Sequence, residues 1–192
     1  MYSIQHENTK NLIALLENPI LSGLKAATSN MFDYYNEYVL NGKQNAYKVD
    51  FDFDVFLPSI QENLQRDFVW KQERQISYIE SLFRRDFMLM PVMVNLVRNN
   101  DGTKTIKVVD GKQRLNAIRA FINGEFCVHG FYFKNLGQGF YSYVSRLVFE
   151  VYYDDLSDEQ LVALFDKVNF LNEPQDKVRF LKIKDKINGN QM

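Results

Sequence analysis

The stretch "VVDGKQRLNAI", residues 108–118, places an acid, a glycine, two cations and an amide between an apolar run and a helical pattern. If "TIKVVD" is a strand and "KQRLNAIRAFI" a helix, Gly111 stands at a tight strand-to-helix turn. The backbone N–H groups of Lys112, Gln113 and Arg114 are then donors of a helix N-terminus, a ready site for a phosphate or another anion. Glycine lets a ligand approach the backbone closely. Lys112 and Arg114 add charge, and arginine can grip a phosphate with a bidentate fork. Cations in a first helical turn cost about 0.3–1 kcal/mol each, so two within three positions make sense if an anion is normally bound there. Asp110, at the strand end, can hold a metal, act as a base or orient the cations. The competing reading is a plain helix cap, with Asp110 as N-cap and Lys112 and Arg114 as solvated surface charges.

A second constellation is "LQRDFVWKQERQ", residues 64–75, which sets Gln65, Arg66, Phe68 and Trp70 ahead of an amphipathic helix. Arginine interleaved with aromatics can stack on a base and hold a phosphate. The plainer alternative is a Phe–Trp plug sealing the core, with Arg66 in an ion pair.

The elements that must position these residues follow from periodicity. Residues 9–40 carry apolar positions at threes and fours and predict two helices divided by Pro19 and Gly23. "YKVDFDFDVFLPSIQ" alternates apolar and acidic residues over 49–55, as a strand or extended arm does. Its aspartates, Asp50, Asp52 and Asp54, could ligate a metal, although acids on a solvent-facing strand side are the commoner arrangement. Residues 71–85 predict a helix with Ile76, Ile79 and Phe83 on one face. "VMVNLV", "RNNDGT" and "KTIKVV" predict a hairpin with good turn chemistry. Leu115, Ile118 and Ile122 repeat at helical spacing, and Asn123-Gly124 supply the stop. "EFCVHGFYF" and "RLVFEVYY" read as strands. Ser157 opens a capping box with Gln160, ahead of Leu161, Leu164, Phe165 and Val168. The segment 175–192 reads as a last helix. Strands and helices mix without regular alternation, which predicts an α+β fold.

Bulk composition narrows the function classes. The 192 residues suffice for one ordinary domain, and 46% hydrophobic with 15% aromatic content describes a globular chain. With 23 cationic and 24 anionic side chains the net charge is −1, so any nucleic-acid contact must use a local patch. One cysteine, Cys127, excludes a disulfide framework and a thiolate cluster. The two histidines, His6 and His129, have no ligand-like neighbours at helical or strand spacing, which argues against a histidine zinc or nuclease centre. The first residues lack a signal-peptide layout and no run approaches ~18 apolar residues, so a cytoplasmic protein with no membrane partner is expected.

Taken together, the motifs resemble a family. "LQRDFVW", a helix, and a hairpin ending in "VVDGKQRLNAI" resemble the N-terminal domain of GmrSD-type restriction proteins, in the ParB/sulfiredoxin-like superfamily. That group carries a Q-R-x-(F/Y)-x-W segment and an Asp-Gly-Gln-Gln-Arg motif. "LSDEQLVALFDKVNFLNEPQ" looks like the family's helix ending in Phe, a few residues, then Asn, here Phe165 and Asn169. The resemblance runs from about residue 51 to 175. It implies a ParB-like domain over 46–175, a small mixed sheet with packed helices, between an N-terminal helical segment (1–45) and a C-terminal helix or tail (176–192).

The resemblance further implies a site that binds and hydrolyses a nucleoside triphosphate with Mg²⁺ or another divalent cation, coupled to recognition or cutting of invading, often modified, DNA. Asp110, Gly111, Gln113 and Arg114 carry over onto the Asp-Gly-Gln-Gln-Arg motif, and Gln65 and Arg66 onto the earlier one. Asp110, Arg114, Gln113 and Gln65 are the catalytic candidates, with Asp110 as metal ligand. Gly111, Lys112, Gln113, Arg114, Arg66, Trp70 and Asn169 are the nucleotide-binding candidates. Lys112 departs from the motif's first Gln, keeping a donor and adding charge, which puts hydrolysis in question more than phosphate binding. The family's usual nuclease domain depends on histidines that this chain lacks, so cleavage of DNA by that route is not expected. A stand-alone NTPase-like module, half of a split system with a separate nuclease subunit, and a repurposed DNA- or partner-binding adaptor all stay open, as does a homodimer. A phosphotransfer role using the Cys127 thiol has little support, because Cys127 lies well past the phosphate motif.

Overall fold

The computed structural model describes residues 19–21, 24–29, 31–84, 90–136, 139–140, 147–169 and 177–189. In chain order they form β1 (Ala26–Ser29), α1 (Phe32–Asn41), β2 (Val49–Asp52), β3 (Phe56–Leu57), β4 (Glu62–Asn63), α2 (Gln72–Arg84), β5 (Val92–Arg98) and β6 (Lys104–Asp110). There follow α3 (Lys112–Ile122), the single turn α4 (Phe133–Leu136), β7 (Phe149–Tyr152), α5 (Asp158–Asn169) and α6 (Lys177–Gly189). Five strands make one mixed sheet in the order β1-β7-β5-β6-β2, and β3 and β4 make a separate small hairpin. The fold is α+β, as the irregular mix of elements predicts.

The hairpin β5–β6 forms the sheet's centre because its turn is chemically specified. Asp101 accepts from the Thr103 N–H at 2.9 Å and from its hydroxyl at 2.6 Å, and Gly102 takes the left-handed conformation with φ 81°. Around it, β7 runs parallel to β5, β2 runs parallel to β6, and β1 closes the far edge antiparallel to β7. Alternation then splits the apolar side chains between two cores. Val92, Val94, Leu96, Ile106, Val108, Phe149 and Val151 face α1, α2 and α3. Met93, Val109 and Tyr152 face the other way, against Leu161, Leu164, Phe180 and Ile183 of α5 and α6. A sheet covered by helices on both faces is the platform from which the β6–α3 turn emerges.

Several local expectations hold. Ser157 and Gln160 form the reciprocal capping box, with N–H to side-chain oxygen distances of 3.1 and 3.3 Å. After α3, Gly124 (φ 74°) donates to Phe121 O and Glu125 to Ala120 O, the stop that Asn123-Gly124 predicts. Two expectations need correction. The helical pattern of 9–40 is interrupted, for Ala26–Ser29 is an edge strand paired with β7. Its small, exposed residues have no apolar face to bury as a helix, so sheet pairing decides; residues 1–18 lie outside the described residues. "EFCVHGFYF" is not a strand either. Left-handed His129 (φ 47°) and Gly130 (φ 83°) reverse the chain within a single Val128–Phe131 bridge. No helix among the described residues is long and apolar enough to cross a membrane.

Aromatic burial between α1, α2 and α3 carries a pH consequence. The Tyr35 hydroxyl is buried and donates to Leu115 O at 2.5 Å, and burial pushes its pKa far above the usual phenol range. Burial likewise pushes Tyr78 up to about 12, against the opposing pull of the Arg114 guanidinium. A phenol raised above its unfolded value of about 10 stabilises the fold fully below that pH and progressively less above it. The protein is therefore expected to lose stability between about pH 10 and 12, with tyrosinate absorbance rising together with loss of helical circular dichroism. Tyr78→Phe should flatten that loss. A tyrosinate signal that grows fully before any unfolding would contradict this.

Candidate functional site

The strand-to-helix turn is built by one irregularity. Val94 pairs with Val108, but Met93 pairs with Asp110, so Val109 is an extra residue on β6. Such a bulge re-aims the residues after it. Val108 faces the first core and Val109 the second, as strand alternation dictates, while the bulge sets Asp110 opposite Met93, where its carboxylate meets Arg114 of α3. The carbonyls of Val108 and Val109 accept hydrogen bonds from the amide nitrogen of the buried Gln65, the second at 3.0 Å. Buried carbonyls at a bulge need such a partner.

Gly111 then reverses the backbone with φ 105°. A Cβ there would stand 3.0 and 3.1 Å from the two Val92 methyls and 3.3 Å from an Arg114 nitrogen. Both the conformation and the space require glycine. Gly111 is itself the N-cap and no side chain caps the helix. The plain-cap alternative, with Asp110 as N-cap, is therefore not what forms. Since no side chain caps them, the first N–H groups of α3 keep the donor capacity of an open helix start.

The next three side chains each fasten a different segment. Lys112 crosses to the turn after β2, where its ammonium meets Asp54 Oδ1 at 2.7 Å; the lysine side chain is 6% exposed and the aspartate 63%. Gln113 accepts from the N–H groups of Val69 (3.0 Å) and Trp70 (3.2 Å) and donates to Asp67 O at 3.0 Å. Arg114 donates to the carbonyls of Met90 and, at 3.1 Å, Pro91, and forms an ion pair with Asp110 Oδ2 at 2.7 Å. The arginine side chain is 14% exposed and the aspartate 23%. Lys112 and Arg114 are thus not solvated surface charges.

The two motifs, over forty residues apart in the chain, meet through Gln65 and Gln113. Of the earlier motif, Trp70 is half-buried, packs edge-on against Tyr78 at 5.6 Å, and carries the Arg74 guanidinium over its ring at 4.8 Å. Phe68 is exposed, so the pair does not form a core plug. Arg66 is half-buried in the same segment. Asn169 ends α5, and its side chain lies outside the described residues.

The acids of 49–55 are explained one by one. Asp50 pairs with Lys43 at 2.9 Å, and Asp52 Oδ1 accepts from the N–H groups of Asp54 and Val55, both at 3.0 Å. Asp54 holds Lys112. Among the described residues no group of three or more His, Cys, Asp or Glu is placed to hold a metal ion. Sequence reasoning reads Asp54 only as a possible metal ligand and misses its pairing with Lys112, because a contact across 58 positions has no local signature. Its neighbour Val55 gives a structural sign. It is a buried β-branched residue with φ 38°, a conformation costing on the order of 1–3 kcal/mol that the surroundings must impose.

An α+β fold whose sheet delivers an uncapped, cation-rich helix start to a second arginine- and aromatic-bearing segment defines the class. Residues 56–191 match the family described as GmrSD restriction endonuclease, N-terminal domain, and the chain belongs to that family. The family associates it with restriction systems and phage defence. Neither the comparison with curated proteins nor that with solved structures returns a match.

Two outcomes are expected. Gly111→Ala should destabilise the fold by about 2 kcal/mol or more, through both backbone strain and the Val92 contact, read from the midpoint of denaturant unfolding. Gln113→Ala removes three hydrogen bonds from the 67–70 segment, so fluorescence of Trp70, the sole tryptophan, should shift to the red while far-UV circular dichroism is kept. An unshifted emission spectrum would contradict the tie.

Proposed function

We propose that the chain is a nucleotide-binding, NTP-hydrolysing module of a restriction system, with the triphosphate at the N-terminus of α3. The observation that carries this reading is the convergence of the family's two motifs on one turn, where Gln113 binds Asp67, Val69 and Trp70 and Gln65 binds the β6 bulge. The uncapped N–H groups of Lys112, Gln113 and Arg114, with the positive end of the helix dipole, suit an anion. Arg114 and Lys112 supply charge toward the phosphates, Trp70 borders the site through its backbone N–H on Gln113, and Arg66 is the further cation that this reading assigns to it. Gln65 and Gln113 act as positioning residues, since their amides are committed to backbone groups.

A Mg²⁺ ion fits only in company. Asp110 is one carboxylate, and Mg²⁺ is commonly held by one or two carboxylates plus the substrate's phosphates. Bound in this way, it would neutralise charge developing on the transferred phosphoryl group. Asp110 would hold the ion or orient the attacking water, in either role steered by its bond to Arg114.

One observation favours a second reading, a non-enzymatic adaptor for DNA or a partner protein such as a separate nuclease subunit. All three motif side chains are already engaged within the protein. The deciding measurement is phosphate release from each of the four NTPs with Mg²⁺, with and without DNA, for the parent and Arg114→Ala. Loss of a key cationic or hydrogen-bonding contact is expected to lower turnover about 100-fold or more. Circular dichroism must first establish that Arg114→Ala is folded, because Arg114 also ties Met90 and Pro91. Absence of both turnover and nucleotide binding in the parent would sink the first reading. DNA affinity that falls steeply with salt would then favour the second.

A further inference from the structure

We infer that Asp54 is a resident counter-ion, occupying the anion position at Lys112 and displaced when phosphate binds. This rests on the nucleotide reading above and concerns how its site is gated. Lys112 stands in the motif itself, yet its side chain is 6% exposed and its ammonium is spent on Asp54 at 2.7 Å. The exposure is lopsided, since the Asp54 side chain is 63% exposed. The carboxylate therefore covers a buried cation from the solvent side, where an incoming anion would have to arrive. A buried ammonium needs a negative partner, but either a carboxylate or a phosphate satisfies that need.

The carrier of this carboxylate is a taut turn. Asp52 Oδ1 holds the N–H groups of Asp54 and Val55, Val55 O accepts from Leu64 N–H at 3.0 Å, and Val55 is forced to φ 38°. These restraints fix the backbone on both sides of Asp54 while leaving its side chain in solvent. Asp54 lies just ahead of the span that matches the family, whereas Lys112 lies within it. The two side chains form an ion pair and neutralise one another. The apparent affinity of the site is then its intrinsic affinity reduced by the fraction of molecules in which Lys112 is released.

The test compares binding of inorganic tripolyphosphate and of ATP with Mg²⁺, by calorimetry, to the parent, Asp54→Asn, Lys112→Gln and the double variant. Asp54→Asn keeps the side chain's shape and removes its charge, and should bind tripolyphosphate on the order of tenfold more tightly than the parent. The gain should vanish in the double variant, which should match Lys112→Gln; a gain that survives there would show general charge removal and overturn the inference. Asp54→Asn that folds and binds no more tightly than a binding-competent parent would also overturn it, leaving the nucleotide reading intact. If neither parent nor variant binds either probe, both fail together. Should Asp54→Asn not fold, the side-chain carboxyl carbon resonance of Asp54 in the parent decides, because the displaced contact is Asp54 Oδ1 to Lys112 Nζ. Tripolyphosphate must shift that resonance toward the position of a solvated carboxylate, and an unchanged resonance in the bound protein refutes displacement.

Discussion

The bulge that ends β6 is the constraint on which the site depends. One extra residue, Val109, shifts the pairing so that Asp110 falls opposite Met93, and the chain then has to leave the sheet within a single residue. Only glycine can do so beside Val92. The carbonyls exposed by the bulge would be costly if unpaired, and Gln65 supplies their donor from a loop far away in sequence. The first helix-start turn, the second motif and the sheet are therefore one unit, and a change in any of them is felt by the others.

A consequence is that the motif's polar residues do two jobs. Lys112, Gln113 and Arg114 fasten three segments, 54, 67–70 and 90–91, to the start of α3. The Lys112 and Arg114 side chains are largely removed from water, 6% and 14% exposed, so an unmatched charge on either would be costly. These bonds fix the geometry of the helix start without filling the helix's own N–H groups. The start of α3 is thus held in place by the protein's own side chains.

The same architecture explains why the two faces of the sheet differ. The face toward α1, α2 and α3 carries the aromatic cluster of Tyr35, Tyr38, Phe51 and Phe53, with Arg119 over the Phe53 ring at 5.4 Å. The opposite face is sealed by α5 and α6, whose basic residues reach acids across elements, as Lys184 does to Asp166 at 2.6 Å. The turn between β6 and α3 is buttressed from both sides, by Val108 in one core and Val109 in the other.

What the sequence by itself determined is whatever local chemistry controls. The β5–β6 turn, the capping box at Ser157, the stop at Gly124, the α2 and α3 helices and the motif that marks the family are all legible in short windows, because caps, turns and periodicity act over a few residues. The α+β class follows from their order. Only the tertiary structure decided where the polar side chains go. The strand at 26–29 exists because β7 offers an edge, the segment 125–133 turns because His129 and Gly130 reverse it, and Val55 takes a left-handed backbone because Asp52 and Leu64 hold it there. Asp54 reaches Lys112, and Gln65 the β6 bulge, across separations at which sequence periodicity carries no information. Burial and pairing energies arise only when distant segments meet, so a cation that reads as a free phosphate ligand in the chain is, once folded, already neutralised by an aspartate.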